Sequence, residues 1–327
     1  MKVIIPAAGI GTRLRPHTHT RPKAMLEVGG KPIIGHIIDT VLKSKPDEII
    51  IIVGYKKEVL IDWGRTHYSS VTITFIEQEK MLGLGHAVLM AEQFVTSDTD
   101  LFILLGDTLV DIDAAAFTSQ PTSSLGVKSV GDPRRFGVVE MNGDYITRLI
   151  EKPQNPPTNL ALIGVYYIKS STRLFDAIRY IIDNNITTKG EYQITDALNR
   201  CVETGEKMTV HKVENWFDCG TFETLLATNA YLLGKEGRSG VHIIGDSLII
   251  EPVVMGEKVT ISRSIIGPNV GIADEVSITD SVVSNSIVYE HAVLHSSVVE
   301  SSIIGEHASV QGIKKHINIG AHSEYTY

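Results

Sequence analysis

The last third of the sequence carries a short hydrophobic repeat, and no other feature restricts the possible folds as strongly. β-Branched residues and leucine recur at steps of five or six, with one doubled step across Thr260. The repeat positions are Val254, Ile266, Ile272, Ile278, Val283, Val288, Leu294, Val299, Ile304 and Val310. Such a period is typical of a β-helix, and it is too regular for a series of ordinary β-hairpins. Since three steps complete one coil of a three-sided solenoid, residues 243–311 predict about four coils.

The first roughly 235 residues have a different rhythm. Short β-branched runs such as Val3–Ile5 and Ile49–Val53 alternate with amphipathic segments, which indicates βαβ units and a largely parallel sheet. Isoleucines at helical spacing after Pro32 predict a crossover helix between the first two strands. Glycines that follow Leu233 supply a helix breaker and a linker. We therefore predict one domain at residues 1–235 and a repeat domain with its tail at residues 241–327.

Charge and composition exclude several classes of protein. Lys and Arg number 30 against 38 Asp and Glu, for a formal net charge of −8, so the whole surface does not attract a polyanion such as DNA. No apolar run reaches the roughly 18 residues of a membrane span, and Met1–Ile5 does not resemble a signal peptide. We expect a soluble, cytoplasmic protein with no nucleic-acid or membrane partner. Cys201 and Cys219 are too few for a disulfide framework.

A glycine-rich segment, PAAGIGTRLRPHTHTRPKAM, directly follows the first predicted strand. Glycines there let backbone N–H groups approach phosphate oxygens that a side chain would block. The residues after Gly11 do not match a Walker A loop, and Leu14 stands where a dinucleotide-binding loop needs a small residue. Against the single acid Glu27, a cluster of basic residues predicts a polyphosphate ligand. These basic residues are Arg13, Arg15, Arg21, Lys23 and Lys31.

Acidic and amide residues elsewhere are candidate ligand contacts. Asp107 ends a predicted parallel strand, where ligands of open α/β sheets collect, and Asp218 is either its partner or a helix cap. Two carboxylates with phosphate oxygens are a common ligand set for Mg²⁺. Glu151 and Lys152 form either a ligand pair or an exposed strand end, and the Gln78 amide can pair with a pyrimidine edge. We expect solvated side chains rather than metal ligands at His17, His19, His316 and His322. At Arg134 and Arg135 we expect a surface pair rather than an allosteric phosphate site.

The segment Gly9–Lys23 resembles the G-x-G-T-R-L-x-P-x-T-x-x-x-P-K signature of the sugar-nucleotide pyrophosphorylases, and every defining position matches. The resemblance covers the first domain nearly end to end. The repeat is similar to the left-handed β-helix of the longer members, the long-form glucose-1-phosphate thymidylyltransferases. The fold class implied is α/β: a Rossmann-like, mostly parallel nucleotidyltransferase sheet at residues 1–235, followed by a short left-handed β-helix.

The resemblance also implies roles for individual residues. Arg13, Lys23 and Lys152 would be catalytic, and Asp107 and Asp218 would bind Mg²⁺. Two further sets would bind the substrates. The nucleotide set is Ala8, Gly9, Gly11, Thr12, Gln78 and Gly83. The sugar-phosphate set is Thr108, Gly137, Glu151, Lys152, Gly164, Glu191 and Trp216.

The predicted reaction joins a pyrimidine nucleoside triphosphate, with dTTP favoured, to a sugar 1-phosphate, with glucose 1-phosphate favoured, and releases pyrophosphate. Thr108 departs from the asparagine that many thymidylyltransferases have there, which leaves the hexose open. The alternative is a UTP-dependent enzyme for glucose 1-phosphate or N-acetylglucosamine 1-phosphate, since thymine and uracil differ by one methyl. A non-catalytic regulatory subunit and an added acyltransferase activity in the β-helix are further hypotheses. We expect a homo-oligomer.

Overall fold

The computed structural model describes residues 1–312. The chain forms two compact units, one from residues 1–27 and 31–224 and the other from residues 28–30 and 225 onward. The division between them crosses the helix Phe222–Lys235, and the predicted boundary near Lys235 stands at the end of that helix. The tail positions His316 and His322 lie outside the described residues. No helix within residues 1–312 has the length and apolar character needed to cross a membrane.

Strands and helices alternate along the first unit. Its strands are β1 (Lys2–Pro6), β2 (Glu27–Val28), β3 (Lys31–Pro32), β4 (Glu48–Val53), β5 (Ile73–Glu77), β6 (Leu101–Leu104), β7 (Thr108–Val110), β8 (Ser123–Ser129), β9 (Gly137–Asn142), β10 (Tyr145–Glu151), β11 (Leu160–Ile168), β12 (Met208–Lys212) and β13 (Trp216–Asp218). Its helices are α1 (Ile33–Leu42), α2 (Lys57–His67), α3 (Leu84–Leu89), α4 (Ala114–Phe117), α5 (Ser171–Asp183), α6 (Ile194–Glu203) and the start of α7 (Phe222–Lys235). Short 3-10 helices lie at Thr12–Leu14, His17–His19, Lys23–Met25 and Glu92–Phe94.

A nine-stranded mixed sheet runs through this unit. Strands β6, β1, β4 and β5 pair in parallel in that order, and β11 joins β6 in antiparallel orientation. Beyond β11, β9 pairs with β10, while β8 pairs with both β11 and β12. Residues 49–52 of β4 are fully buried, as expected of a parallel strand that helices cover on both faces. The predicted α/β fold with a Rossmann-like, mostly parallel sheet is confirmed in this mixed form.

Helix α1 connects the parallel strands β1 and β4. Pro32 directly precedes it, where a missing N–H costs no intrahelical hydrogen bond. The buried face of the helix consists of Ile33, Ile34, Gly35, Ile37, Ile38 and Val41. This spacing puts all the large apolar side chains on one stripe, so the helix is held by burial of that stripe. The predicted crossover helix is confirmed.

The second unit continues from α7 into short strands, which pair in parallel from β15 onward. They are β14 (Val241–Ile244), β15 (Ser247–Ile250), β16 (Val253–Met255), β17 (Thr260–Ser262), β18 (Ile265–Ile266), β19 (Val270–Ile272), β20 (Ser277–Thr279), β21 (Val282–Ser284), β22 (Ile287–Val288), β23 (Val293–His295), β24 (Val298–Glu300), β25 (Ile303–Ile304) and β26 (Ser309–Gln311). Every third strand from β15 onward returns to the same sheet, which gives three sheets and four coils. Strand β14 pairs antiparallel at the edge of the first sheet. These parallel strand sets are consistent with the predicted left-handed β-helix.

Three columns of apolar side chains fill the interior of this β-helix. They are Ile249, Ile266, Val283 and Val299; Met255, Ile272, Val288 and Ile304; and Ile261, Ile278, Leu294 and Val310. The prediction is wrong at Val254, which pairs with Gly271 outside the core. Met255 and Ile261 occupy the interior instead, so the doubled step across Thr260 disappears. The unbranched Met255 fits because a methionine side chain adapts to irregular space.

Polar residues are also repeated from coil to coil. The backbone N–H of Ser264, Ser281 and Ser297 each donates to the serine hydroxyl one coil before, at 3.1 Å in every case. Asn229, on α7, is 1% exposed. Its side chain accepts a hydrogen bond from the Gly29 N–H at 2.9 Å and donates one to the carbonyl of Asn269, directly before β19. These bonds satisfy polar groups that burial would otherwise penalise.

Candidate active site

The glycine-rich segment leaves β1 at its carboxyl end and crosses the edge of the parallel sheet. Gly11 has φ +70°, and a Cβ there would stand 2.9 Å from the Cβ of Lys23. A larger residue at this position would meet both a strained backbone and a steric clash. Gly9 has open space where a side chain would begin, and Ala8 before it is buried. The loop therefore exposes backbone beside Lys23, while Thr12 and its neighbour Arg13 are exposed.

Two aspartates and a lysine meet at the end of β6. Asp107 directly precedes β7, which pairs antiparallel with β13, so that Thr108 lies opposite Asp218. The backbone N–H of Cys219 donates to the carbonyl of Asp107 at 3.1 Å and ties the two segments together. Lys23 Nζ donates to Asp107 Oδ2 at 2.6 Å and lies 3.9 Å from Asp218 Oδ1. One ammonium group therefore faces both carboxylates.

The electrostatics of this cluster favour a cation. Burial raises the pKa of Asp218, and the nearby carboxylate of Asp107 raises it further. Lys23, Arg13 and Arg135 act in the opposite direction on the same pKa. No group of three His, Cys, Asp or Glu residues that could hold a metal ion occurs within residues 1–312. The aspartate pair nevertheless suits a divalent cation that takes its other ligands from substrate phosphates and water.

A cavity of about 250 Å³ opens on one side of this cluster. Six of the seven predicted sugar-phosphate residues line it: Thr108, Gly137, Glu151, Lys152, Gly164 and Trp216. The seventh, Glu191, is not among its lining residues; it accepts a hydrogen bond from Gln193 Nε2 at 3.0 Å, and Gln193 lines the cavity. Asp107, Asp218 and Arg13 also reach this wall.

A second cavity, of about 180 Å³, lies on the side of the glycine loop. Gly9 and Lys23 line it, and it shares Leu84, Leu105 and Asp107 with the first cavity. The two cavities therefore meet at Asp107. An extended ligand could occupy both, with its reacting atoms beside the aspartate pair.

The glutamate in the larger cavity is held in one orientation. Glu151 Oε2 accepts from Thr195 Oγ1 at 2.6 Å, and Glu151 Oε1 is 3.0 Å from Lys152 Nζ. A Cβ at Gly137 would approach within 3.0 Å of both Thr195 Oγ1 and Glu151 Oε2, so only glycine leaves room for this contact. The Glu151 side chain is 7% exposed and keeps a fixed acceptor at the cavity wall.

Comparison with known proteins shows which family the chain belongs to. The family profile of nucleotidyl transferases matches residues 2–235. This chain belongs to the nucleotidyl transferase family. The prediction of a sugar-1-phosphate nucleotidyltransferase is confirmed at the level of enzyme class.

Relatives of the family extend the match. The UTP–glucose-1-phosphate uridylyltransferase AglF of Haloferax volcanii is 34% identical over 66% of this chain and 89% of its own length. The glucose-1-phosphate thymidylyltransferase of Streptomyces antibioticus is 32% identical over 90% of this chain and 88% of its own. A crystal structure of UDP-glucose pyrophosphorylase complexed with UDP-glucose aligns with a TM-score of 0.62 and 25% identity, over 72% of this chain and 99% of that one.

Some side chains lie where the sequence did not place them. Arg134 and Arg135 are both exposed, as expected, but Arg135 also lines the larger cavity, whereas Arg134 pairs with Asp132 at 2.7 Å. His17 is half-buried against the ring of Phe222 rather than solvated, and burial lowers its pKa. The position of Arg135 directly before the Phe-Gly segment was the available signal, but the sequence of an arginine pair does not tell which member borders a cavity.

The predicted base-contacting residues sit next to both cavities. Gln78 follows β5 and is buried, and its Nε2 donates to the carbonyl of Gly83 at 3.2 Å. Neither residue is among those lining the two cavities, but Leu84, which follows Gly83, lines both. Trp216 lines the larger cavity, and its buried Nε1 has no hydrogen-bond partner within residues 1–312. That donor is available to a ligand oxygen.

Proposed function

We propose that this enzyme transfers a nucleotidyl group from a pyrimidine nucleoside triphosphate, with dTTP favoured, to glucose 1-phosphate, and releases pyrophosphate. The relatives support this choice: one is named a glucose-1-phosphate thymidylyltransferase and another a glucose-1-phosphate uridylyltransferase. The similar crystal structure holds UDP-glucose. A nucleotide and a hexose phosphate would thus meet in one site.

The observation that carries the proposal is the meeting of the two cavities at Asp107. The smaller cavity has the glycine loop and Lys23, which suit a triphosphate, and the larger has Glu151 and Lys152, which suit a sugar and its phosphate. Basic side chains surround the junction from both sides. They are Arg13, Lys23, Arg135 and Lys152.

The proposed chemistry is an in-line displacement at the α-phosphorus. An oxygen of the sugar 1-phosphate, already ionised near neutral pH, forms the new P–O bond while the bond to pyrophosphate breaks, so no general base is needed. Lys152 and Arg135 would hold the attacking phosphate, and Arg13 and Lys23 the triphosphate. Asp107 and Asp218 would hold Mg²⁺, which neutralises phosphate charge when it is bound.

A uridylyltransferase is the second candidate, and a specific residue favours keeping it. Thr108 is buried at the cavity wall, where its short hydroxyl reaches less far than an asparagine amide would. The same wall could therefore accept a hexose with a bulkier substituent, such as N-acetylglucosamine 1-phosphate. The base itself separates dTTP from UTP by only one methyl.

The test is pyrophosphate release with Mg²⁺, pairing each of dTTP, UTP, ATP and GTP with glucose 1-phosphate and with N-acetylglucosamine 1-phosphate. We expect the fastest release with dTTP and glucose 1-phosphate. A preference for UTP would select the uridylyltransferase. No release from any pair would contradict the proposal and support a regulatory subunit, while acetyl-CoA consumption would support an acyltransferase. A cytoplasmic location and a homo-oligomeric state stay predictions.

A further inference from the structure

The amide of Gln78 has a defined orientation. Gln78 is 4% exposed, and one atom of its side-chain amide lies 3.2 Å from the carbonyl oxygen of Gly83. A backbone carbonyl can only accept a hydrogen bond, so the amide atom facing it must be Nε2 rather than Oε1. The contact with Gly83 therefore assigns the two ends of the Gln78 amide.

His86 takes the second hydrogen of the same amide nitrogen. Its Nδ1 lies 3.1 Å from Gln78 Nε2, one turn into α3. Because Nε2 is a donor, Nδ1 must accept, which requires a neutral imidazole with its proton on the other ring nitrogen. Burial lowers the pKa of His86 and favours that neutral form.

Both hydrogens of the Gln78 amide are therefore used inside the protein. Gly83 and His86 account for them, and within residues 1–312 Oε1 receives no hydrogen bond. The side chain can then offer an incoming base only a carbonyl acceptor. With Oε1 directed at N3 of the base, uracil and thymine can donate their N3–H to it, whereas N3 of cytosine is itself an acceptor and would repel it. In that position Oε1 does not meet the N4 amino group of cytosine.

We propose that His86 is a positioning residue for base selection: it holds Gln78 so that only Oε1 faces the base, and the site rejects cytosine nucleotides. This inference rests on the proposed function, in which Gln78 contacts the base. His86 itself would not touch the nucleotide. The neighbouring Leu84 lines both cavities, which places this three-residue arrangement directly beside the ligand space.

Two substitutions separate positioning from packing. His86→Leu removes the acceptor and keeps an apolar side chain of similar reach, while His86→Asn keeps an oxygen acceptor near the position of Nδ1. We expect His86→Leu to raise the KM for UTP or dTTP about threefold to tenfold, the effect of losing one hydrogen bond. The ratio of UTP to CTP use should fall by a similar factor. The kcat and the KM for sugar 1-phosphate should stay unchanged, and His86→Asn should restore the wild-type ratio.

A double-mutant cycle supplies the decisive readout. In a Gln78→Leu background, His86→Leu should cause no further loss of UTP over CTP discrimination, because its only route to the base has been removed. The inference is overturned if His86→Leu keeps the wild-type KM and ratio, if His86→Asn is as poor as His86→Leu, or if the two losses simply multiply. Thermal unfolding of each variant shows that the comparison is made on folded protein.

Failure of the proposed function gives a different result. If the wild-type protein releases pyrophosphate from no nucleotide and sugar pair, the proposed reaction is wrong. Calorimetric titration of the same variants with UTP and CTP then still measures base discrimination without turnover. If wild-type turnover is normal but discrimination does not depend on His86, only the positioning role is wrong.

Discussion

The first unit, which holds the candidate active site, and the β-helix of the second unit bring distant residues together in opposite ways. In the first unit each decisive contact occurs once, such as the one between Lys23 and Asp107 or between Thr195 and Glu151. In the β-helix the same contact recurs from coil to coil, as in the serine series with its repeated distance of 3.1 Å.

This difference separates function from stability along the chain. A contact that occurs once at a cavity wall can be lost without unfolding its sheet, which is held by buried strands such as β4. A member of a repeated column supports the coils on either side of it, since each coil contacts only its neighbours. Substitutions at the cavity walls of the first unit should therefore act on turnover, and those in the interior columns of the second on unfolding.

The largest effect should come from Asp107→Asn. The amide can still contact Lys23 but lacks the charge that a divalent cation requires, so turnover should fall about 10²- to 10³-fold. Pyrophosphate release at saturating substrates measures the loss, and thermal unfolding should stay near the wild-type value. Asp144→Asn, at an exposed turn, is the matched control and should be fully active. Activity of Asp107→Asn near the control level would remove this residue from the site.

The next effect should appear in the β-helix, where Leu294→Ala opens a cavity in the third column. Leu294 is fully buried between Ile278 and Val310, so the free energy of unfolding should drop by about 2–5 kcal/mol. Urea denaturation followed by circular dichroism measures it. Val298→Ala is the control, because that side chain is 83% exposed and should change stability by less than about 0.5 kcal/mol. A loss of kcat at unchanged stability would break the contrast between the two units.

A smaller effect on catalysis distinguishes two adjacent arginines. Arg135→Ala removes a charge from the larger cavity and should lower kcat/KM for the sugar 1-phosphate about tenfold to a hundredfold, the worth of a hydrogen bond to a charged group. Arg134→Ala should leave it unchanged, since Arg134 lines neither of the two cavities and pairs with Asp132. Equal losses of kcat/KM in the two variants would show that Arg135 has no special role at the cavity and that the two arginines act only as a surface pair.

The smallest effect concerns one polar member of the repeated series. Ser281→Ala removes the acceptor for the Ser297 N–H and leaves that buried group unsatisfied, so stability should fall by about 1–3 kcal/mol with normal turnover. The exposed Ser309→Ala provides the comparison and should unfold like the wild type. If both variants unfold alike, the hydrogen bonds of the serine series do not contribute to the free energy of unfolding.

The sequence predicted the fold where the pattern was strong. The period of five or six located three interior columns because their residues are β-branched or leucine, and it slipped by one residue at Val254 because Met255 does not belong to that class. In the first unit, buried runs such as that of β4 and the stripe of α1 identified a covered parallel sheet. Periodicity reports burial well, since burial is what imposes it.

The site was predictable only where local motifs carried the chemistry. The motif from Gly9 to Lys23 and the strand end at Asp107 predicted residues that line one cavity in the structure. The contact of Thr195 with Glu151 and the place of Arg135 at the cavity depend on tertiary packing, which no local spacing encodes. The position of His86 at the start of α3 suggested that it could lie near Gln78. The sequence did not indicate the direction of the hydrogen bond between the two side chains.

The antiparallel pairing of β7 with β13 sets a condition on how this enzyme matures. It joins Thr108 to Asp218, about a hundred residues further along the chain. Because the partner strand is encoded so far along the chain, the pairing cannot form before residues 216–218 have been synthesised. During synthesis the first aspartate emerges from the ribosome long before its partner exists. A chain arrested before residue 218 can hold a nearly complete sheet and still have only half of its carboxylate pair.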